Sequence, residues 1–181
     1  QLVMIDPDDV AAQNGIAVAD MFLDAAHYDE PLREALAEYT VTLLGPRDAG
    51  DGVNIEGDRS DERIVATASN DVVRSFRGDD TVTTLNGNDL VIGGGGRDQI
   101  ILGQGDDRGD GGRGHDQVSG GAGADVLLGG RGYDHLDGGS GTDILDGGNG
   151  HDTLFGGNGE DSLSGGNGDD ILYGDAGDDR L

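Results

Sequence analysis

The chain has 181 residues, 37 glycines, no cysteine and a formal net charge of −26. This composition excludes a disulfide framework and a thiolate metal site, and the negative charge disfavours nucleic acid and anionic membranes as partners. No apolar stretch approaches the ~20 residues that a membrane-spanning helix needs. We therefore expect cations as the main ligands. Further copies of the chain, or neighbouring domains of a longer protein, are the expected macromolecular partners.

The N-terminal part of the chain differs in composition from the rest. Asp6 and Pro7 form a helix start, and apolar residues follow at helical spacing. Pro31 begins a second helical pattern, and residues 40–44 read as a short strand that closes at Gly45. The sequence therefore predicts a small helical cap or linker over residues 1–56.

A nine-residue repeat organises the remainder, residues 57–181. Seven consecutive units fill residues 111–173 without a gap: GGRGHDQVS, GGAGADVLL, GGRGYDHLD, GGSGTDILD, GGNGHDTLF, GGNGEDSLS and GGNGDDILY. Each unit has glycine at its first, second and fourth places, aspartate at its sixth and an aliphatic residue at its eighth. The same frame is regular over 93–181 and degenerate over 57–92. At Gly109, glycine replaces the eighth-place aliphatic residue, which predicts a gap or a constriction in the core.

The spacing within one unit predicts a turn followed by a minimal strand. Glycines permit tight turns with free carbonyl groups, and the three residues after the turn place the eighth side chain on one face. One unit then forms half a coil, so units n and n+2 stack, with their sixth-place carboxylates ~4.8 Å apart. Carboxylates at that distance repel each other unless a cation lies between them. The histidines His115, His135 and His151 occupy variable places and are expected to face solvent.

Calcium is the cation predicted for these stacked turns, because it prefers six to eight carboxylate, carbonyl and water oxygens. Counting stacked pairs from Asp98 and Asp107 onward gives four sites on each edge, or about eight ions. The predicted carboxylate ligands are Asp80, Asp89, Asp98, Asp107, Asp116, Asp125, Asp134, Asp143, Asp152, Asp161, Asp170 and Asp179. The predicted turn-backbone positions are Gly94, Gly96, Gly103, Gly105, Gly112, Gly114, Gly121, Gly123, Gly130, Gly132, Gly139, Gly141, Gly148, Gly150, Gly157, Gly159, Gly166 and Gly168.

By these repeats the chain resembles the repeats-in-toxin (RTX) family of secreted calcium-binding proteins, whose motif is G-G-x-G-x-D-x-U-x. The resemblance implies a mainly β fold, a right-handed parallel β-roll with two nonapeptides per coil. It also implies type I secretion and folding on calcium binding outside the cell, and hence a secreted, extracellular or cell-surface location. It does not cover residues 1–56.

Two functions remain open at this point. The roll is predicted to be a calcium-binding structural part of a surface, adhesin or matrix protein. Alternatively, it is the C-terminal roll of a type I-secreted protease, lipase or toxin whose catalytic domain lies outside this sequence. No HExxH or GxSxG motif occurs, and the acidic residues are spread along a repeat instead of paired in a cleft. The residues present are therefore predicted not to form an enzyme.

Overall fold

The protein is a parallel β-solenoid built from two facing sheets. The structure is a computed structural model that describes residues 52–181 and a short upstream strand. The eight-stranded sheet contains, in spatial order, β1 (Val41–Thr42), β3 (Arg63–Val65), β5 (Thr81–Thr83), β7 (Gln99–Gln104), β9 (Gln117–Ala122), β11 (His135–Ser140), β13 (Thr153–Asn158) and β15 (Ile171–Ala176). The seven-stranded sheet contains β2 (Asn54–Glu56), β4 (Val72–Arg77), β6 (Leu90–Gly95), β8 (Arg108–Arg113), β10 (Val126–Gly132), β12 (Ile144–Gly150) and β14 (Ser162–Ser164).

The register between strands has a period of two nine-residue units. Leu136 pairs with Leu154 in the eight-stranded sheet, and Leu127 pairs with Leu145 in the seven-stranded sheet. Successive units therefore alternate between the two sheets, and a residue stacks on the one 18 positions later. The predicted parallel roll with two units per coil is confirmed.

The core is a column of aliphatic side chains enclosed between the two sheets. The eighth-place residues supply most of it, and side chains such as Val82, Leu127 and Leu154 have no exposed surface. The column ends at Leu172, which is only partly buried. Alternation along a three-residue strand explains this arrangement, because the central side chain faces inward while its two neighbours face outward.

The coil at Gly109 shows how the core accommodates a missing side chain. A Cβ atom added to Gly109 would lie 2.8 Å from Val118 Cγ1 and 3.2 Å from Leu102 Cδ1. Leu102 replaces the first-place glycine of the same unit and is completely buried. Of the two predicted alternatives, a gap or a constriction, the structure therefore shows the constriction, because Leu102 and Val118 fill the space.

The parallel pairing extends upstream of residue 57. β2 pairs with β4, and β1 pairs with β3 through Val41–Arg63 and Thr42–Ile64. β1 falls within the strand predicted over residues 40–44. The predicted helices of the N-terminal segment lie outside the described residues, and the boundary of the repeat domain at residue 57 stays a prediction. None of the described residues belongs to a helix that could cross a membrane.

Candidate metal centre

The sixth-place carboxylates form two continuous columns, one at each edge of the solenoid. In each column, the backbone amide of one residue donates a hydrogen bond to the Oδ1 atom of the residue one coil later. The Asp116 amide donates to Asp134 Oδ1 at 2.9 Å, and the Asp134 amide donates to Asp152 Oδ1 at 2.8 Å. The second column repeats this pattern, for example from the Asp125 amide to Asp143 Oδ1 at 2.8 Å. These bonds fix the direction of every carboxylate.

The second carboxylate oxygen, Oδ2, is buried and has no hydrogen-bond partner. This holds for ten consecutive sixth-place aspartates among the described residues, and for the Oε2 atom of Glu62 upstream of them. The ten are Asp80, Asp89, Asp98, Asp107, Asp116, Asp125, Asp134, Asp143, Asp152 and Asp161. A buried charged oxygen without a partner is strongly unfavourable. Its repetition in register therefore indicates that a cation or a proton satisfies it.

Burial shifts the acidity of these groups in the metal-free protein. It raises the pKa of Asp98 to about 7 and the pKa of Asp116 and Asp134 to about 6. Hydrogen bonds from backbone amides oppose the rise, and neighbouring aspartates of the same column add to it. Without a cation, the columns therefore keep part of their protons near neutral pH.

The first-place glycines bring the unpaired oxygen and a carbonyl oxygen of the next coil close to one unfilled space. A Cβ atom on Gly129 would lie 2.7 Å from Asp134 Oδ2 and 2.7 Å from the carbonyl oxygen of Gly147, which belongs to the next coil. The carboxylate and carbonyl oxygens therefore face one small space that no side chain fills. This glycine does not have a positive φ, whereas Gly130 and Gly132 have φ values of 101° and 140°. Space is thus required at the first place, and a left-handed backbone is required at the second and fourth.

This donor set fits calcium. A hard cation binds carboxylate and carbonyl oxygens, and both converge on the space beside each first-place glycine. Within the part of the chain that the structure describes, no three His, Asp or Glu side chains gather into a metal-binding cluster. A bound ion here would therefore depend on backbone carbonyl groups in addition to the aspartates.

The structure brings the predicted ligand residues together in register. The predicted aspartates from Asp80 to Asp161 are buried, while Asp170 and Asp179 are half-buried in the last coil of their columns. The predicted turn glycines all have positive φ. His115, His135 and His151 are exposed, as expected. Ligation by the individual residues stays a prediction.

Sequence reasoning missed the function of the fifth place, which it treated as freely variable. Where Asp, Asn or His occupies this place and a further coil follows, the side chain accepts a hydrogen bond from the backbone amide one coil later, as Asp79 Oδ1 does from Arg97 at 2.7 Å. His115 Nδ1 accepts the same bond from Tyr133 at 2.8 Å. The recurrence of Asn, Asp and His at this place is the available signal. These residues extend the hydrogen-bonded column along the solvent side of the turn.

Together, a two-sheet parallel solenoid and a repeated, unpaired carboxylate define a structural calcium-binding repeat protein. The sequence matches the family model for the RTX calcium-binding nonapeptide repeat in four copies, over residues 56–91, 83–118, 119–154 and 147–181. The chain belongs to this RTX repeat family. Its repeats bind Ca²⁺, and the β-roll they form is a structural module rather than a catalytic one. The comparison with curated proteins gives no match.

Proposed function

We propose that the roll is a calcium-responsive folding module of a secreted bacterial protein. In this proposal the chain stays unfolded where calcium is scarce and folds into a right-handed β-roll outside the cell. The observation that supports it most directly is the unpaired, buried Oδ2 atom that recurs in unit after unit. At neutral pH, where most of these carboxyl groups have lost their proton, a bound cation removes the cost of burying such an oxygen.

The residues proposed to hold the ions are the sixth-place aspartates and the carbonyl groups of the glycine-rich turns. A fold stabilised by bound ligand gains free energy with ligand concentration. At about ten times the dissociation constant each site contributes ~1.4 kcal/mol, so about eight independent sites contribute ~11 kcal/mol. This sum equals the stability of a typical domain. Calcium is therefore proposed to determine whether the roll folds.

The preferred setting is a surface, adhesin or matrix protein in which the roll is the working part. Exposed apolar side chains on the outer strand faces, among them Ile144, Ile171 and Tyr173, support a role in contacts with other molecules. A catalytic motif in an adjoining sequence would instead favour the roll of a secreted hydrolase or toxin. Determination of the full-length sequence separates the two settings.

A calcium titration of the full chain followed by circular dichroism tests the proposed function. We expect a disordered spectrum in excess chelator and a cooperative gain of β-structure in millimolar calcium. Magnesium is the matched control, because it demands a tighter octahedral geometry and retains its water ligands. A complete β-sheet spectrum in excess chelator at neutral pH would contradict the proposal.

A further inference from the structure

The first place of the repeat differs between the two halves of the roll. It is glycine in every unit from Gly111 onward, but three successive upstream units begin with Ala66, Ser75 and Thr84. All three side chains are buried. Ser75 and Thr84 lie beside the sixth-place carboxyl groups of their own units, Asp80 and Asp89, while the Ala66 methyl group joins the hydrophobic core.

Two of these side chains form hydrogen bonds to the next coil. The Ser75 hydroxyl donates to the carbonyl oxygen of Gly93 at 2.9 Å, and the Thr84 hydroxyl donates to that of Leu102 at 2.5 Å. Both acceptors are first-place carbonyl groups of the next coil. In the regular unit beginning at Gly93, the equivalent carbonyl of Gly111 faces Asp98 Oδ2 across an unfilled space. The hydroxyl thus occupies the space that the regular units leave unfilled between a carboxylate and a carbonyl oxygen.

In the unit that begins at Ala66, protein donors alone form hydrogen bonds to both carboxylate oxygens of the sixth-place residue, Asp71. Asp71 Oδ2 accepts a hydrogen bond from the Thr67 backbone amide at 2.7 Å, and the Thr67 hydroxyl lies 2.9 and 3.0 Å from the two carboxylate oxygens. Asp71 Oδ1 also accepts from the Val53 amide at 2.7 Å. In contrast to the aspartates downstream, neither oxygen of Asp71 is unpaired.

We infer that the units beginning at Ala66, Ser75 and Thr84 take no calcium. Hydroxyl and amide groups of the protein replace the ion there, so Asp80 and Asp89 are not ligands although they share the sixth place with the ligating residues. Their Oδ2 atoms lack a hydrogen-bond partner as those downstream do, but the hydroxyl groups of Ser75 and Thr84 lie beside these carboxyl groups. The first calcium-binding unit after them begins at Gly93. The inference rests on the proposed function, because it divides the repeats of a calcium-binding roll into two kinds.

Two neighbouring units limit the extent of this calcium-free section. The unit at Gly57 keeps the open arrangement, since a Cβ there would lie 2.4 Å from Glu62 Oε2 and 2.9 Å from the Ser75 carbonyl oxygen. The unit at Leu102 directs its first-place side chain into the core beside Gly109 instead. The inference therefore concerns residues 66–92 alone.

The test is to count calcium ions per chain in full-length variants by isothermal calorimetry at saturation. Asp80→Asn should leave the count unchanged, whereas Asp98→Asn, the next residue of the same column, should lower it by at least one. Circular dichroism in saturating calcium checks that each variant is folded. An equal loss in both variants would overturn the inference.

A second variant introduces a first-place hydroxyl group, as in the unit that begins at Ser75, into a regular unit. Gly93→Ser puts a hydroxyl beside Asp98, and Ser75 shows that the fold accepts serine at this place. This variant should bind one ion fewer than the unaltered chain, and an unchanged count would overturn the inference. If the unaltered chain binds no calcium, the proposed function fails as well. Failure of the inference in a chain that still binds calcium is thus distinguishable from failure of the proposed function.

Discussion

At the scale of single residues, each sixth-place aspartate uses its two carboxylate oxygens for different purposes. Oδ1 accepts an amide from the preceding coil and holds the column together, while Oδ2 stays unpaired in the interior. The hydrogen bond to Oδ1 does not depend on a metal ion, since it joins the backbone amide and the carboxylate of two stacked coils. The second oxygen makes the stability of the column depend on what neutralises it.

The raised pKa values predict that acid stabilises the metal-free roll. Burial raises the pKa of Asp98 to about 7 and of Asp107 and Asp125 to about 6, above the ordinary 3.8. The metal-free folded state therefore binds more protons than the unfolded chain above pH 3.8. Its stability is highest below that pH and falls as pH rises toward 7. In chelator, circular dichroism should therefore show more β-structure near pH 4.5 than near pH 7, where the metal-free chain is expected to be disordered.

In calcium, the stability of the roll is expected to fall as the pH is lowered, because protons compete with the ion for the same carboxylate oxygens. Lowering the pH from about 7 to about 5 should weaken calcium binding measured by calorimetry. Asp98→Asn is the control for the metal-free experiment, since it removes a carboxyl group whose pKa burial raises to about 7. A metal-free chain that gains β-structure as the pH rises would contradict the prediction.

The position of an aspartate in its column predicts how many calcium sites it affects. Asp134 lies between Asp116 and Asp152, whereas Asp170 ends its column and accepts only from the Asp152 amide. If ions lie between stacked turns, Asp134→Ala should weaken two sites and Asp170→Ala one. Calorimetry near the midpoint calcium concentration measures the difference. Equal losses would instead mean that each nine-residue loop holds its own ion.

At the scale of the turn–strand unit, two departures from the repeat compensate for each other. Gly109 removes an aliphatic side chain from the core, and Leu102, seven residues earlier, puts one back from a place that is otherwise small. Leu102 is completely buried and lies within contact distance of the position that a Gly109 side chain would occupy. The two residues therefore act as one packing unit.

This compensation predicts a coupled pair of substitutions. Gly109→Val should destabilise the calcium-loaded roll by ~1–3 kcal/mol, because its Cβ would lie only 2.8 Å from Val118 Cγ1. Leu102→Gly should cost at least the ~2–5 kcal/mol typical of a large-to-small core change. The double variant restores the regular repeat and should lose clearly less than the two single losses combined. Thermal melts of all four chains in saturating calcium measure this coupling.

The repeat period made the coil, the register and the inward-facing residues predictable from the sequence. A strict nine-residue phase allows only one stacking, and Leu136 on Leu154 is its direct consequence. The compensation at Leu102 was not predictable, because it depends on a contact between two irregular places. The sequence also could not show why the first place is glycine, since glycine is selected both where a side chain has no space and where φ is positive. The hydroxyl bonds of Ser75 and Thr84 required side-chain positions.

At the scale of the whole molecule, the parallel stack satisfies its backbone internally but has two ends. An end exposes strand edges and core side chains, which favours association with other chains. At the upstream end, β1 pairs with β3, which contains the buried core residue Ile64. Within the part of the chain that the structure describes, β1 therefore covers the upstream edge of the eight-stranded sheet.

Removal of the upstream segment should expose the edge that β1 covers. Deleting residues 1–45 takes β1 away from Arg63 and Ile64, so we expect the calcium-loaded protein to associate or to melt at a lower temperature. Light scattering and thermal melts in saturating calcium measure the two effects. Deleting residues 1–38 is the matched control, because it keeps β1 and separates the contribution of this strand from that of the chain before it. An unchanged monomer with an unchanged melting curve after the longer deletion would show that residues 1–45 form a unit independent of the roll.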